Sequence, residues 1–228
     1  MILKYLLYIS SMLIVLAVIG LVIKPVELSG INVGEYRDPF LMIREAYAKA
    51  VWLEFEKQTE TEAKFSIIQR VLNYFPEFRP ANEELCANTS LYRAANISTR
   101  DLLRSLKNSA DTLEELYFVE CYVGVLKDMQ RYMEALSFLN QKYMQEIDPS
   151  KQDQLMNMAK AVEHEKNMLD LAKAVETYFQ LTRTYPGDIL MLVREGLIDR
   201  IPQEPYGGQY FVSRQGQVKS TSEMMKND

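Results

Sequence analysis

The chain carries a single histidine, His164, set between Glu163 and Glu165. An imidazole beside carboxylates is the raw material of a general base or a metal ligand. The spacing argues against both, because adjacent residues on a helix project about 100° apart and neither glutamate shares a face with the ring. No nucleophile or second ligand accompanies it, so His164 is expected as a solvated surface residue. Two cysteines, Cys86 and Cys121, and one histidine cannot assemble the usual four-ligand zinc site. Gly187 and the Gly207-Gly208 pair lack the spacing and the lysine of a phosphate-binding loop. Glu54, Glu56, Glu114 and Glu115 read as ordinary charged helix positions. No catalytic, metal-binding or cofactor-binding residue is expected, and the chain reads as a non-enzyme.

The balance of 26 Lys and Arg against 31 Asp and Glu gives a net charge of −5, which offers no basic surface to nucleic acid. With 228 residues, 48% apolar and 25% charged, the composition is that of an ordinary folded chain, not of a disordered, collagen-like or disulfide-dense one.

Residues 5–23 hold no charged side chain. As a helix they would span roughly 28 Å, close to the hydrocarbon thickness of a bilayer. Tyr5, Leu13, Leu16 and Ile23 are the expected lipid-facing anchor residues. A cleaved secretory leader is the competing reading, but its apolar run is usually only about 7–15 residues and ends at a small-x-small site. The exits available here put Leu28 or Glu27 at the critical position. An uncleaved single-pass anchor is therefore expected, with the amino terminus cytoplasmic and the body outside. There Cys86 and Cys121 are free to pair; two separate buried thiols is the other reading.

The body reads as mainly α. Residues 1–24 form the expected anchor, 25–39 a linker with Pro25, Gly30, Gly34 and Pro39, 40–168 a helical body, and 169–228 a tail. Phe40, Ile43, Tyr47, Ala50, Val51 and Phe55 recur at helical spacing after Asp38-Pro39, with Trp52 expected in the core. Further helices are expected over 62–74, 98–109, 111–127, 129–147, 151–166 and 169–185. Residues 76–80 form a break, and the pattern weakens over 82–96. Asn88-Thr89-Ser90 and Asn96-Ile97-Ser98 match a glycosylation sequon, a tripeptide that chance often supplies. The 12 methionines are expected mostly as core filling.

Helix 111–127 is apolar on nearly all sides, with Gly124 expected to let a neighbouring helix approach closely. The next carries Met129, Tyr132, Met133, Leu136, Tyr143, Met144 and Ile147 on one stripe. This pair, with Arg131-Tyr132-Met133-Glu134-Ala135 opening its second helix and Asp148-Pro149 closing it, resembles a tetratricopeptide repeat. The resemblance covers about one repeat and implies a small residue, Ala135, where the two helices touch; a plain helical bundle is the alternative architecture. Either leaves a groove suited to a peptide or helix. Tyr117, Tyr122, Tyr132 and Tyr143 are the candidate partner-binding residues, against the alternative that aromatics at helical spacing pack inward.

In the tail, Tyr185-Pro186 is followed by a short Leu-rich helix, Gly196-Leu197-Ile198, Ile201-Pro202 and Glu204-Pro205-Tyr206-Gly207-Gly208. A hairpin is expected next, with strands 209–212 and 217–220. This order resembles the C-terminal half of major pseudopilins of type II secretion and related pilin-like proteins, over about a quarter of the chain. Glu204 stands where that family usually has Asp, and the N-terminal Gly-Phe processing junction is absent. The resemblance implies a bacterial inner-membrane protein with its body in the periplasm. The expected role is a membrane-anchored interaction or assembly factor with a helical-repeat groove, and the resemblance implies a link to a secretion or pilus-like system. Its partners would be proteins of a membrane-associated assembly and the bilayer itself, through 5–23. The alternative is a structural or accessory subunit of a membrane complex or pseudopilus-like filament.

Overall fold

The computed structural model describes residues 39–95, 97–113 and 115–224. The expected membrane segment 5–23, with Tyr5, Leu13, Leu16 and Ile23, lies outside them, as does the linker up to Asp38. Among the described residues no helix is long and apolar enough to cross a membrane. The fold is mainly helical, with one small sheet. Helix α1 is Pro39–Phe55, α2 Thr61–Tyr74, α3 Arg79–Ala87, α4 Thr89–Ala94, α5 Thr99–Thr112, α6 Leu116–Asp128, α7 Tyr132–Gln145 and α8 Pro149–Thr182. The tail adds α9 (Leu190–Arg194), strands β1 (Tyr210–Val212) and β2 (Val218–Ser220), and a final turn α10 (Thr221–Met224).

Proline accounts for several of the boundaries. Pro80 occupies the first turn of α3, where its missing N–H costs nothing, and Pro149 does the same for α8 behind Asp148, whose carboxylate accepts from Ser150 N at 2.9 Å. The expected break at 76–80 is thus only the short turn before α3, and the weakly patterned stretch after it is the helix pair α3–α4. Asn82, buried in α3, donates from Nδ2 to Pro76 O at 2.8 Å and accepts the Ser109 hydroxyl of α5. That pairing ties the turn, α3 and α5 together and satisfies a polar group the interior would otherwise penalise.

Three expectations about the helices change. The apolar run 111–127 is not one helix: Asp111 and Thr112 end α5, and Leu113 is extended at φ −97°, ψ 127° before α6 begins. Leu113 and Leu116 prolong the hydrophobic pattern across the link because both pack on the same core. The stripe on α7 is rotated: Tyr132, Ala135, Phe138 and Leu139 are buried, whereas Met133, Met144 and Ile147 face solvent. Residues 151–166 and 169–185 are not two helices, since α8 runs unbroken for 34 residues. Nothing between 166 and 169 is a Gly or Pro, so the backbone ladder has no reason to stop. It stops at Arg183, in the left-handed region at φ 59°.

Two separate clusters make up the interior. The larger runs from Ala48 to Val162, with Ile68, Val71, Leu85, Leu102, Leu106, Phe118, Leu126 and Leu139 fully or almost fully buried. Trp52 packs partly buried at its edge, stacked on Phe55. Val51 and Phe55 are buried as their spacing implies, but Ala48 replaces Ala50 in the core, and Tyr47 stays open against the Tyr74 ring. Among the described residues no methionine is buried outright: Met129 and Met158 pack at the margin, and Met133, Met144 and Met156 are exposed. The smaller cluster joins Leu171, Ala174, Val175 and Tyr178 of α8 to Ile189, Leu192 and Tyr210 of the tail. The hairpin pairs Tyr210 with Ser220 and Val212 with Val218 in antiparallel register. At its turn, Gly216 has φ 78°, and a Cβ placed there would lie 2.3 Å from the Tyr185 ring, which stacks on Phe179. Glycine is required twice over, by conformation and by space.

Cys86 of α3 and Cys121 of α6 form a disulfide, with Cα atoms 5.7 Å apart and 35 positions of sequence between them. Of the two sequence readings the structure takes the paired one. Closing a loop of that size stabilises by about 2–4 kcal/mol through the unfolded chain. Cys86→Ser should lower the unfolding free energy of the intact protein in mild detergent by that amount, read from urea titration. Gly216→Ala should cost about 1–3 kcal/mol in the same titration, and an unchanged midpoint would contradict the Tyr185 contact.

Candidate functional site

The chemistry-bearing residues fall into two places. One is where α8 meets the tail. Glu204 is almost wholly buried, and its carboxylate collects partners from three segments. Oε1 accepts the Ser222 hydroxyl at 2.6 Å and lies 3.1 Å from His164 Nδ1; Oε2 accepts the Tyr206 and Gly208 amides, each at 2.8 Å. Ser220 Oγ extends the network to Ser222 Oγ at 2.8 Å. Gly208 is needed for this approach, because a Cβ there would come within 2.9 Å of Ser222 N. Burial pushes the carboxyl pKa up, but the Ser222 hydroxyl and the Gly208 and Tyr206 amides outweigh it and hold the group below the ordinary glutamate range.

His164 is therefore not the solvated residue its flanking glutamates implied. Its side chain is only 14% exposed, lying against the rings of Tyr206 and Tyr210. With a proton on Nδ1 it donates to Glu204 whether the ring is neutral or charged. Glu163 and Glu165 point elsewhere, as the helix geometry required; Glu165 instead pairs with Lys127 of α6 and accepts the Tyr132 hydroxyl. What the arrangement does is clasp: a single carboxylate joins α8, the 204–208 turn and α10, just after β2. Among the described residues, no group of three or more His, Cys, Asp and Glu is placed to hold a metal ion.

The second place is α6, where the four tyrosines were expected to gather. They do not form one surface. Tyr122 is buried, its ring edge-on to Phe138 and its hydroxyl donating to Glu134 of α7 at 3.1 Å; burial and then the Glu134 charge push its pKa up to about 12. Tyr132 is buried against α8 through Glu165, and Tyr143 is partly buried on the body's core. Only Tyr117 is open, with 47% of its surface exposed.

Tyr117 lines a depression of about 360 Å³ between α6 and the α3–α4 pair, with Thr89, Glu120, Gly124, Val125, Asp128 and the disulfide. Gly124 does not admit a neighbouring helix: a Cβ built there meets nothing within 4 Å. It leaves the groove floor as bare backbone. On the other side of α6 a depression of about 380 Å³ is lined by Leu113, Leu116, Val119, Leu155 and Ile147. Its charged rim is committed internally, since Lys142 donates to Ala110 O at 2.7 Å and pairs with Asp111 at 2.9 Å. In the first groove Asp128 pairs with Arg93, but Glu120 has no ion pair or hydrogen bond among the described residues.

Sequence reasoning missed Glu204 as a hub, Asn82 as a tie and Gly124 as a groove floor. The Pro-aromatic-Gly-Gly run after Glu204 was the available signal for the first, being a turn that presents consecutive amides to a preceding carboxylate. No family model, no curated protein and no solved structure matches this chain.

Glu204 sets a pH dependence of known sign. A carboxyl whose folded pKa is depressed contributes its full stabilisation above the unfolded value, near 4.3, and loses it as the pH falls through the folded value. Glu204→Gln should destabilise by about 1–3 kcal/mol at pH 7, and the gap from the native chain should shrink between pH 4.5 and pH 3. Urea titrations at the two pH values check this, and a pH-independent gap would remove the charge from the account.

Proposed function

We propose that this protein is a membrane-anchored, non-enzymatic interaction or assembly factor: residues 5–23 hold it in the bacterial inner membrane, and the helical body captures a protein partner on the periplasmic side. The apolar run 5–23 supports the anchoring, and the disulfide, a bond that persists in oxidising compartments, supports the placement of the body. The tail's pilin-like order of Tyr185-Pro186, Gly196 and Pro205-Tyr206-Gly207 supports a link to secretion or pilus-like assemblies.

The observation that carries the reading is Gly124. A glycine inside a helix costs roughly 0.5–1 kcal/mol against alanine, a cost normally offset where the missing Cβ admits another part of the fold. Here no atom of the described residues takes that space, and the residue floors a concave surface with an exposed tyrosine at its edge. A partner supplies the contact that the fold does not.

The intact protein purified from its native membrane should carry its partner, identified by mass spectrometry. Gly124→Ala should raise the melting temperature by about 1–4 °C, and Gly124→Leu, which fills the groove, should deplete the partner. A fragment starting beyond Gly30 should still capture it. Full recovery of the partner with Gly124→Leu would overturn the groove, and loss of the partner on detachment alone would favour a subunit held through its membrane helix.

A further inference from the structure

The groove between α6 and the α3–α4 pair has a chemical signature that goes beyond its shape. Its apolar floor consists of Val125, the disulfide and the bare backbone at Gly124, with the Tyr117 ring on one edge. Its charged lining is entirely acidic, Glu120 and Asp128, with no Lys, Arg or His. Arg93 neutralises Asp128 at 2.9 Å, and the nearby cations Arg79 and Lys127 are taken by Glu115 and Glu165. Of the groove's two carboxylates, Glu120 is the one without a counter-charge among the described residues. On α6, Tyr117, Glu120, Gly124 and Asp128 follow the i, i+3, i+7, i+11 spacing of one helix face, so the open charge lies between the tyrosine and the glycine.

From this we infer that the occupant of the groove is a basic amphipathic segment of a protein partner, which seats an apolar side chain over Gly124 beside Tyr117 and sets a Lys or Arg against Glu120. The inference rests on the groove being the capture surface proposed above. An acidic segment would bring like charge to Glu120, and a purely apolar one would bury that carboxylate without a partner, which costs far more than a hydrogen bond returns. The depression across α6, where Lys142 pairs with Asp111 and Glu146 accepts two backbone amides, leaves neither of those carboxylates open and is the internal comparison.

Two synthetic 16-residue amphipathic peptides test it, sharing one leucine face that includes a photo-reactive leucine analogue, one with Lys and the other with Glu on the polar face. Each is cross-linked to the intact protein in neutral detergent micelles, and the adducts are mapped by mass spectrometry. The Lys peptide should label residues 117–128 roughly fivefold more than the Glu peptide, as one exposed charge pair allows. Glu120→Lys should reverse that preference, and Gly124→Leu should remove labelling by both. Equal labelling by the two peptides, or labelling centred on Met133, Met144 and Ile147, would overturn the inference. If the peptides fail while Gly124→Leu still strips the native partner, the groove survives and its preference for a basic segment falls. If Gly124→Leu leaves the native partner in place as well, both fall.

Discussion

A single unbroken backbone ladder organises this molecule. Helix α8 extends for 34 residues, about 50 Å at the usual rise, and every other described element from α6 onward is placed by contact with it or with something that touches it. Its first half buries Leu155 and Val162 in the body; its second half buries Leu171, Ala174, Val175 and Tyr178 in the tail. Between them Asn167 is buried and donates from Nδ2 to Gln203 O. A rod that shares its surface between two cores needs no separate linker, and it holds the tail at a set distance and rotation from the helices that line the α6 groove.

The two cores are stabilised in different ways. The body is a conventional helical interior of interlocking Leu, Val, Ile and Phe side chains, stiffened by one internal polar tie at Asn82 and Ser109. The tail is too small for hydrophobic burial to suffice, and it leans on a buried carboxylate whose oxygens are saturated by two amides, a hydroxyl and an imidazole. A buried charge of that kind is costly if any partner is lost and confers geometric uniqueness when all are present. Gly208 and Gly216 belong to the same logic, for both sit where a side chain would prise the turn away from what it packs on.

Much of this organisation was legible in the residues. Helix positions followed from apolar spacing and from prolines at 76, 80 and 149, and the hairpin from its flanking glycines, because these signals act within a few residues of where they lie. What could not be read was whatever depends on distance across the fold. Ser222 meets Glu204 from 18 positions away, His164 from 40, and Cys121 meets Cys86 from 35. Helix α8 was expected as two, yet Asn167, a polar residue buried on its inner face, interrupts the hydrophobicity and not the hydrogen bonding. Three of the four tyrosines chosen for exposure turned out to be packed, since an aromatic at helical spacing carries no mark of which neighbour will cover it. The open face of Gly124 is likewise a property of what is not nearby.

The disulfide has a consequence for how the molecule breathes. Helices α3 and α4 have nine and six residues, shorter than the roughly 12–15 at which an isolated helix holds together in water. Left to themselves they would be the first part to open, as a small cooperative unit with a free energy well below that of global unfolding. The bond from Cys86 to Cys121 staples this weak wall to α6, which anchors itself in the core through Phe118, Val119, Tyr122, Val123, Val125 and Leu126. Excursions of the wall must then strain α6 as well, so the edge of the groove inherits the stiffness of the core behind it.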